Sequence, residues 1–230
     1  MTIEIRNPAS PDVIVATYEE IPLEALDGLV ACSRQAQISW AIKPQPERGL
    51  LISKYVDALE RRTEDIAYSI TKEMGKPLAE ARGEVGKAIG EARACLGRAN
   101  APIGEVFSSQ ISGTVAYSTR RPRGVVLGIN PWNFPFSTPM RKAIPALVYG
   151  NSILLKPASL TPGAAAIMAE IAMEFLPENI IQTVIGDGAL GQTLSEHLGI
   201  DAVSFTGSVE VGKRVAIAAA GHLAEISLEL

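Results

Sequence analysis

The residues of this sequence that are best suited to chemistry follow short apolar runs in its second half. Asn133 lies within Asn130-Pro-Trp-Asn-Phe-Pro135, a loop that two prolines stiffen. A carboxamide held in this way can donate a hydrogen bond to a developing oxyanion. Glu229 follows another apolar run, and a partly desolvated carboxylate there can act as a general base. The simpler alternatives are a turn in which Trp132 and Phe134 only pack, and a solvated, frayed glutamate.

Two further motifs offer groups that bind ribose or phosphate. Lys156-Pro-Ala-Ser159 supplies an ammonium and a hydroxyl, which suit ribose hydroxyls or a phosphate, although a solvated lysine fits the pattern equally well. In Phe205-Thr-Gly-Ser208, Gly207 lets the backbone approach a ligand, and Ser208 can cap a helix whose free N–H groups attract a phosphate. A capped helix without an anion is the alternative for this motif.

Gly186-Asp-Gly-Ala-Leu-Gly191 satisfies the G-x-G-x-x-G pattern of dinucleotide-binding loops. Such a loop cradles a pyrophosphate when it follows the first strand of a sheet. Here it follows the third apolar run, and a single match of this kind has little specificity. Contact with a pyrophosphate is therefore one candidate role for Gly191 and its neighbours.

Apolar runs alternate with helical stretches from residue 124 onward. The runs are 125–129, 152–155, 180–185, 202–205 and 225–228, and the helical stretches are 137–149, 162–176, 188–197 and 208–220. This order predicts an α/β fold, a Rossmann-like doubly wound parallel sheet with helices on both faces. Because the carboxyl ends of parallel strands meet at one edge, the motifs above should share a crevice. Thr161 is expected to cap the helix that starts at Pro162.

Residues 1–103 are expected to form an arm and helices that pack on the sheet. Residues 1–20 are rich in strand-forming residues, and a helical pattern then continues to residue 100. Within it, one helix is predicted to bury a face formed by Leu51, Tyr55, Leu59, Ile66 and Ile70. The alternating β-branched residues of 104–122 predict an edge hairpin, and residues 123–230 form the predicted Rossmann-like domain.

Composition excludes several classes of partner. The formal net charge is −4, from 21 basic and 25 acidic side chains, which excludes a chain-wide attraction to nucleic acid or an anionic membrane. No apolar stretch approaches the ~18 residues of a membrane span, and the N-terminus lacks a secretory pattern, so a cytoplasmic location is expected. Cys32 and Cys95 lack metal-ligand spacing and are expected to be buried, inert thiols, with no metal site.

Taken together, these motifs resemble those of the aldehyde dehydrogenase superfamily over nearly the whole chain. The matching segments are Pro131-Trp-Asn-Phe-Pro135, Lys156-Pro-Ala-Ser159, Phe205-Thr-Gly-Ser208, Leu228-Glu-Leu230 and, in the helical region, Thr71-Lys-Glu-Met-Gly-Lys-Pro77. The combination is specific, although each piece alone is not. It is most similar to the succinate-semialdehyde type. The resemblance implies NAD(P)+-dependent oxidation of an aldehyde, such as a semialdehyde, to a carboxylic acid by a homodimer or homotetramer.

The resemblance also implies a role for each matching residue. Asn133 would donate to the thiohemiacetal oxyanion, and Glu229 would activate water as the general base. The residues implied to contact the cofactor are Ile129, Trp132, Asn133, Lys156, Ala158, Ser159, Gly191, Phe205, Gly207, Ser208 and Leu230. Gly191 would face the adenosine, which argues against a pyrophosphate cradle there. Many NAD-preferring relatives carry a glutamate where Ser159 stands, so NADP+ is expected to be accepted and favoured over NAD+.

The nucleophilic cysteine of the family is expected beyond residue 230, and neither Cys32 nor Cys95 can replace it, because both precede the sheet. We therefore expect these residues to hold the cofactor without turning over an aldehyde. The alternative is a non-catalytic dinucleotide-binding or interaction protein derived from such an enzyme. An in-frame continuation that encodes a cysteine would favour the enzyme. In the family, the hairpin 104–122 packs between subunits, and an unpaired edge here is an aggregation hazard.

Overall fold

A computed structural model describes residues 2–230 of the chain. The chain begins with an arm of two antiparallel strands, β1 (Thr2–Asn7) and β2 (Ser10–Glu19), as its strand-forming residues predict. Four helices follow the 3-10 turn Leu23–Ala25. They are α1 (Leu26–Ile42), α2 (Gln45–Arg61), α3 (Thr63–Met74) and α4 (Leu78–Leu96). A second 3-10 turn, Gly97–Asn100, ends this helical region.

The apolar face predicted for a single helix is divided between α2 and α3. Arg62 leaves the helical conformation, with φ −97° and ψ 19°, and separates the two helices. Leu59 and Ile66 are seven residues apart, so they share a face whether or not the helix is broken between them. The apolar pattern therefore concealed the break. The predicted face is fully buried except for Leu51, which is half-buried.

A short antiparallel ladder follows the helical region in the sequence and precedes the sheet. In it, β3 (Val106–Phe107) pairs with β4 (Ala116–Tyr117). The hairpin predicted within 104–122 is confirmed, although only two residues of each strand are paired. The large apolar side chains of this segment are exposed: Ile103, Val106, Phe107, Ile111, Val115 and Tyr117.

The second half of the chain contains a five-stranded sheet with the order β7-β6-β5-β8-β9, in which all paired strands are parallel. Its strands are β5 (Val125–Ile129), β6 (Ser152–Lys156), β7 (Ile181–Thr183), β8 (Ala202–Thr206) and β9 (Glu225–Glu229). The connecting helices are α5 (Ser137–Val148), α6 (Gly163–Phe175), α7 (Gly188–Glu196) and α8 (Val209–Ala220). The predicted parallel α/β fold is confirmed.

Buried side chains form a cluster on each face of the sheet. Ile153 and Leu155 of β6 belong to a cluster with α2 to α6, whereas Leu154 between them packs with α7 and α8. This division follows from the alternation of side chains along a strand. β6 is buried along its whole length, but β9 is largely exposed. The prediction of cover on both faces is therefore correct for the centre of the sheet and wrong for β9.

The N-termini of α5 and α6 are capped by glutamates from the helical region. Thr161 does not cap α6, because its hydroxyl donates to the carbonyl oxygen of Trp132 at 3.5 Å and the helix begins two residues later. Instead, the carboxylate of Glu73 accepts the N–H of Gly163 at 3.0 Å. Glu84 accepts the N–H groups at the start of α5. An anionic acceptor suits a helix N-terminus, so these contacts join the helices to the sheet domain.

The two cysteines differ from the buried thiols predicted. Cys32 is exposed, because α1 buries the face that carries Val30, Ser33 and Gln37 and leaves Cys32 on the other side. Cys95 is half-buried, and burial raises the pKa of its thiol. Within residues 2–230, no helix is long and apolar enough to cross a bilayer.

Candidate functional site

Three adjoining cavities lie along the edge of the sheet at which β5, β6, β8 and β9 end. The first has a volume of about 480 Å³, the second about 600 Å³ and the third about 290 Å³. Ile129 and Val211 line both the first and the second. Pro131, Asn133, Thr206 and Glu229 line both the second and the third. The carboxyl edge of the sheet therefore carries one continuous crevice, where such sheets bind ligands.

The first cavity lies between α7 and α8. It is lined by Ile129, Lys156, Gly188, Ala189, Gly191, Gln192, Val211, Arg214 and Val215. Two of these side chains are cationic and none is acidic. A Cβ atom on Gly191 would lie 3.2 Å from two carbons of the Lys156 side chain, so glycine makes room for the lysine stem.

Lys156 is almost fully buried at the wall of the first cavity. Its ammonium donates to the carbonyl oxygens of Pro157 at 3.2 Å and Gly186 at 3.0 Å. Burial lowers the pKa of Lys156, and the nearby carboxylates of Asp187 and Glu20 oppose that shift. Asp187 itself caps α7 by accepting the N–H groups of the first turn. The glycine-rich segment 186–191 thus begins a helix, and its own aspartate occupies the N–H groups there.

The second cavity is bounded by the loop after β5 and the segment after β8. It is lined by Ile129, Asn130, Pro131, Trp132, Asn133, Ala158, Phe205, Thr206, Gly207, Ser208, Val211, Glu229 and Leu230. Ser208 caps α8 by accepting the N–H of Val211 at 3.4 Å, as predicted. A Cβ on Gly207 would lie 2.6 Å from the Phe205 ring, so internal packing also requires this glycine.

The third cavity opens between α4 and α5. It is lined by Glu84, Lys87, Pro131, Asn133, Phe134, Ser137, Thr138, Arg141, Thr206 and Glu229. Arg141 makes a bidentate ion pair with Glu91, at 2.6 and 2.9 Å. Lys87 is more loosely paired with the same glutamate, at 3.9 Å. Two cations therefore stand at the wall of the smallest cavity.

The crevice brings together almost all the side chains that the sequence singled out. Asn133 and Glu229 lie at the junction of the second and third cavities. Each cofactor residue implied by the resemblance lines the first or second cavity except Ser159, which lines none of the three. Neither cysteine lines any of the three. The roles of these residues remain predictions.

Lys142 of α5 lines none of the three cavities but contacts residues at the strand ends, which the sequence did not reveal. Its ammonium donates to the carbonyl oxygens of Ile129 at 2.8 Å and Ser204 at 3.0 Å, and to Oγ1 of Thr206 at 2.9 Å. The Thr206 hydroxyl in turn donates to Oε2 of Glu229 at 3.2 Å. Burial lowers the pKa of Lys142 to about 7, and the Glu229 carboxylate opposes the shift.

Arg214 of α8 was also missed, and the reason is common to both residues. Each is a basic residue within a predicted helix, where the ordinary expectation is a solvated side chain. Only the packing of α5 and α8 on the sheet brings Lys142 to the strand ends and Arg214 to the first cavity. The sequence pattern contains no signal for either contact.

Comparisons with known proteins agree with this geometry. The model of the aldehyde dehydrogenase family matches residues 1–230. The alpha-ketoglutaric semialdehyde dehydrogenase of Bacillus subtilis (strain 168) is 39% identical over 230 residues, which are 99% of this chain and 47% of that protein. The chain thus spans about half the length of this curated relative.

Solved structures of dehydrogenases also match this chain over its whole length, and the match covers about half of their own. Lactaldehyde dehydrogenase from Escherichia coli has a TM-score of 0.96 at 31% identity, over 100% of this chain and 48% of that one. Betaine aldehyde dehydrogenase from Staphylococcus aureus, a point mutant in complex with NAD+, has a TM-score of 0.96 at 30% identity, over 100% and 48%. A 3,6-anhydro-L-galactose dehydrogenase in complex with NADP has a TM-score of 0.95 at 31% identity, over 100% and 48%. By sequence and by fold, the chain belongs to the aldehyde dehydrogenase family.

Proposed function

We propose that these residues bind NADP+ or NAD+ and supply the oxyanion donor and the general base for oxidising an aldehyde to a carboxylic acid. The observation that carries the proposal is the position of Asn133 and Glu229. Both lie where the second cavity meets the third, so both can reach atoms between a nucleotide and an aldehyde. The nucleophilic thiolate that the family uses is assigned to neither Cys32 nor Cys95, because neither lines the crevice.

A nicotinamide dinucleotide fits the residues that line the first two cavities. The space between α7 and α8 suits the adenosine, since Gly191 has no side chain and the Lys156 stem forms its floor. The second cavity offers the exposed Trp132 and the start of α8. It also contains Asn130, whose buried Oδ1 accepts no hydrogen bond within residues 2–230. When bound, the nicotinamide ring accepts a hydride.

The chain's own groups then act on the oxygen and on water. The Asn133 carboxamide donates to the oxyanion, where a preorganised donor has its largest effect. Glu229 takes a proton from water as the general base. Through Thr206, Glu229 connects to Lys142, whose pKa of about 7 lets it exchange a proton near neutral pH. This chain of hydrogen bonds lets Glu229 and Lys142 exchange a proton through the Thr206 hydroxyl.

The third cavity favours an aldehyde that carries a carboxylate, which is the chemistry of a semialdehyde. Lys87 and Arg141 place two positive charges at its wall, beside the carboxylates of Glu84 and Glu229. The Arg141 guanidinium already binds Glu91 in a bidentate pair, so Lys87, 3.9 Å from the same glutamate, is the cation offered to a substrate carboxylate. One relative of this chain is named as an alpha-ketoglutaric semialdehyde dehydrogenase, which agrees with this choice. The family's homodimers or homotetramers are proposed here too, with the exposed apolar hairpin 104–122 as the contact surface.

NADP+ is proposed as the preferred cofactor, with Arg214 as the residue that supports the preference. Ser159, which the resemblance implies as the source of this preference, lines none of the three cavities. No carboxylate lines the first cavity, and because the Lys156 ammonium is held by the carbonyl oxygens of Pro157 and Gly186, Arg214 is the cation offered to the extra phosphate of NADP+. Arg214 is only weakly paired, with Glu210 at 3.8 Å, and is therefore free to bind a phosphate.

Calorimetric titration of the chain with both nucleotides tests this proposal. We expect Arg214→Ala to weaken NADP+ about tenfold, the loss of one charge-assisted hydrogen bond, and to leave NAD+ within about twofold. Lys213→Ala, on the same helix but outside the cavity, is the control and should change neither. Comparing the affinity for adenosine 2′,5′-bisphosphate with that for AMP isolates the contribution of the 2′-phosphate. NAD+ binding more than about tenfold tighter than NADP+ contradicts the preference, and binding of neither nucleotide contradicts the proposed function.

Turnover is the second measurement. With NADP+ and a panel of semialdehydes, the 230 residues alone are expected to bind the nucleotide and form no NADPH, because the crevice contains no cysteine. NADPH formation that persists in the double variant Cys32→Ala, Cys95→Ala would show that a thiolate is not required, and the assigned chemistry would then be wrong. Loss of that activity in the double variant would instead assign the nucleophile to one of these two cysteines.

A further inference from the structure

We propose that Lys76, held by Glu84, is a positioning residue that fixes the loop carrying Asn133 at the crevice. The inference deepens the proposed function and rests on it, because it explains how the oxyanion donor is kept in place. Lys76 lies in the turn between α3 and α4, far from Asn133 in sequence and outside the sheet domain.

Lys76 contacts the backbone of Asn133 directly. Its ammonium donates to the carbonyl oxygen of Asn133 at 2.8 Å. It also lies 4.3 Å from the centre of the Phe134 ring, the next side chain of the loop. Two successive loop residues are therefore held by one cation, through a charge-assisted hydrogen bond and a cation–π contact.

Glu84 holds both Lys76 and the end of the same loop. Its Oε2 pairs with the Lys76 ammonium at 2.5 Å. Its Oε1 accepts the N–H groups of Phe136 and Ser137, each at 3.0 Å. The loop is thus fixed at Asn133 by the cation and at the start of α5 by the anion. Only 10% of the Lys76 side chain and 2% of the Glu84 side chain are exposed.

The burial of this pair points to positioning rather than to stability alone. A buried ion pair often contributes little net stability compared with apolar residues of the same size. This pair binds backbone groups at both ends of one loop, which it thereby holds in place. The turn that carries Lys76 is itself restricted, because Gly75 adopts a left-handed conformation with φ 78° and Pro77 follows. The loop has no regular structure of its own, and the Asn133 side chain is exposed to the crevice.

Asparagine-selective ¹⁵N labelling of the chain tests the inference without any need for turnover. The Asn133 side-chain amide, assigned with Asn133→Ala, should give one sharp pair of signals in the wild-type chain. In Lys76→Met we expect that pair to broaden or split. In a second, uniformly ¹⁵N-labelled sample, the backbone amide hydrogens of Phe136 and Ser137 should exchange at least about tenfold faster, since the carboxylate that binds them loses its cation. Lys76→Arg, which keeps a donor, should restore the wild-type pattern in part.

Two controls separate positioning from general destabilisation. The Asn151 side chain is buried and accepts the N–H groups of Arg123 and Gly124, so its signal reports the sheet domain and should not change. Lys43→Met is the matched variant, because Lys43 also follows a helix and pairs with a glutamate of the next one, at 2.7 Å. If Lys76→Met does not fold, Glu84→Gln is examined in the same way.

The outcomes distinguish this inference from the proposed function. A change at Asn133 with Asn151 unchanged supports the positioning role of Lys76, whether or not the chain binds a nucleotide. An unchanged Asn133 pair in both Lys76→Met and Glu84→Gln overturns it, as does equal broadening of Asn133 and Asn151. Failure of NADP+ and NAD+ to bind bears on the proposed function alone.

Discussion

Lys142→Met is expected to remove a rise in the free energy of unfolding between pH 7 and 10.5. Burial lowers the pKa of Lys142 from 10.5 to about 7 in the folded chain. Between these values the unfolded chain binds a proton that the folded chain lacks, so stability increases with pH. The change is about 5 kcal/mol at most, since each pH interval of one is worth about 1.4 kcal/mol, and the solvent that the side chain keeps reduces it to about 4 kcal/mol.

Urea unfolding of the wild-type chain and the variant across this pH range measures the effect. Below pH 7 both states of the wild-type chain are protonated at Lys142, and the two stability curves should run parallel. Methionine matches the lysine stem but cannot bind the three oxygens at the strand ends, so the slope, not the stability at one pH, is the quantity to compare. Lys43→Met, at an exposed lysine, is the control. A slope that is the same in Lys142→Met and wild type would rule out a neutral, buried amine.

Glu73→Gln is expected to raise stability above pH 7 by roughly 3 kcal/mol. Burial raises the pKa of Glu73 from 4.5 to about 7, while hydrogen bonds from Gly163 and Tyr18 oppose the shift. Between pH 4.5 and 7 the folded chain holds a proton that the unfolded chain has lost. Stability from this group is therefore complete below pH 4.5 and falls as pH rises to 7.

The glutamine variant should remove that fall, because an amide does not ionise and its oxygen can still accept one of the two bonds. Those bonds come from the Tyr18 hydroxyl at 2.9 Å and the Gly163 N–H at 3.0 Å. Glu64→Gln is the control at an exposed carboxyl, where the Arg82 hydrogen bond lowers the pKa and gives the opposite slope. A Glu73→Gln chain that is less stable than wild type at pH 8 would show that the two bonds outweigh the cost of the buried charge.

Together these two groups make neutral pH the least favourable range for the fold. The ionised Glu73 lowers the free energy of unfolding above about pH 7, and the protonated Lys142 lowers it below about the same pH. Glu73 lies where the helical region meets the sheet domain, and Lys142 lies at the strand ends. Their placement there is a tertiary feature, and it could not be read from the sequence.

The sequence alone determined the parallel sheet and the side chains at its carboxyl edge. Five apolar runs separated by helical stretches allow few other arrangements, because parallel strands need crossovers and both faces of a central strand must be covered. Once the strands are parallel, whatever follows them meets at one edge. Asn133, Lys156, Ser208 and Glu229 are therefore neighbours as a result of local pattern and topology.

Only the tertiary structure decided which helix faces meet which partners. The break at Arg62, the exposure of Cys32 and the orientation of Lys142 and Arg214 all depend on packing that apolar spacing does not specify. The caps of α5 and α6 come from glutamates some 50 to 90 residues away, in place of the local threonine that the pattern favoured. Such contacts join residues that are far apart in sequence. They form only when the chain has folded, so local sequence patterns cannot predict them.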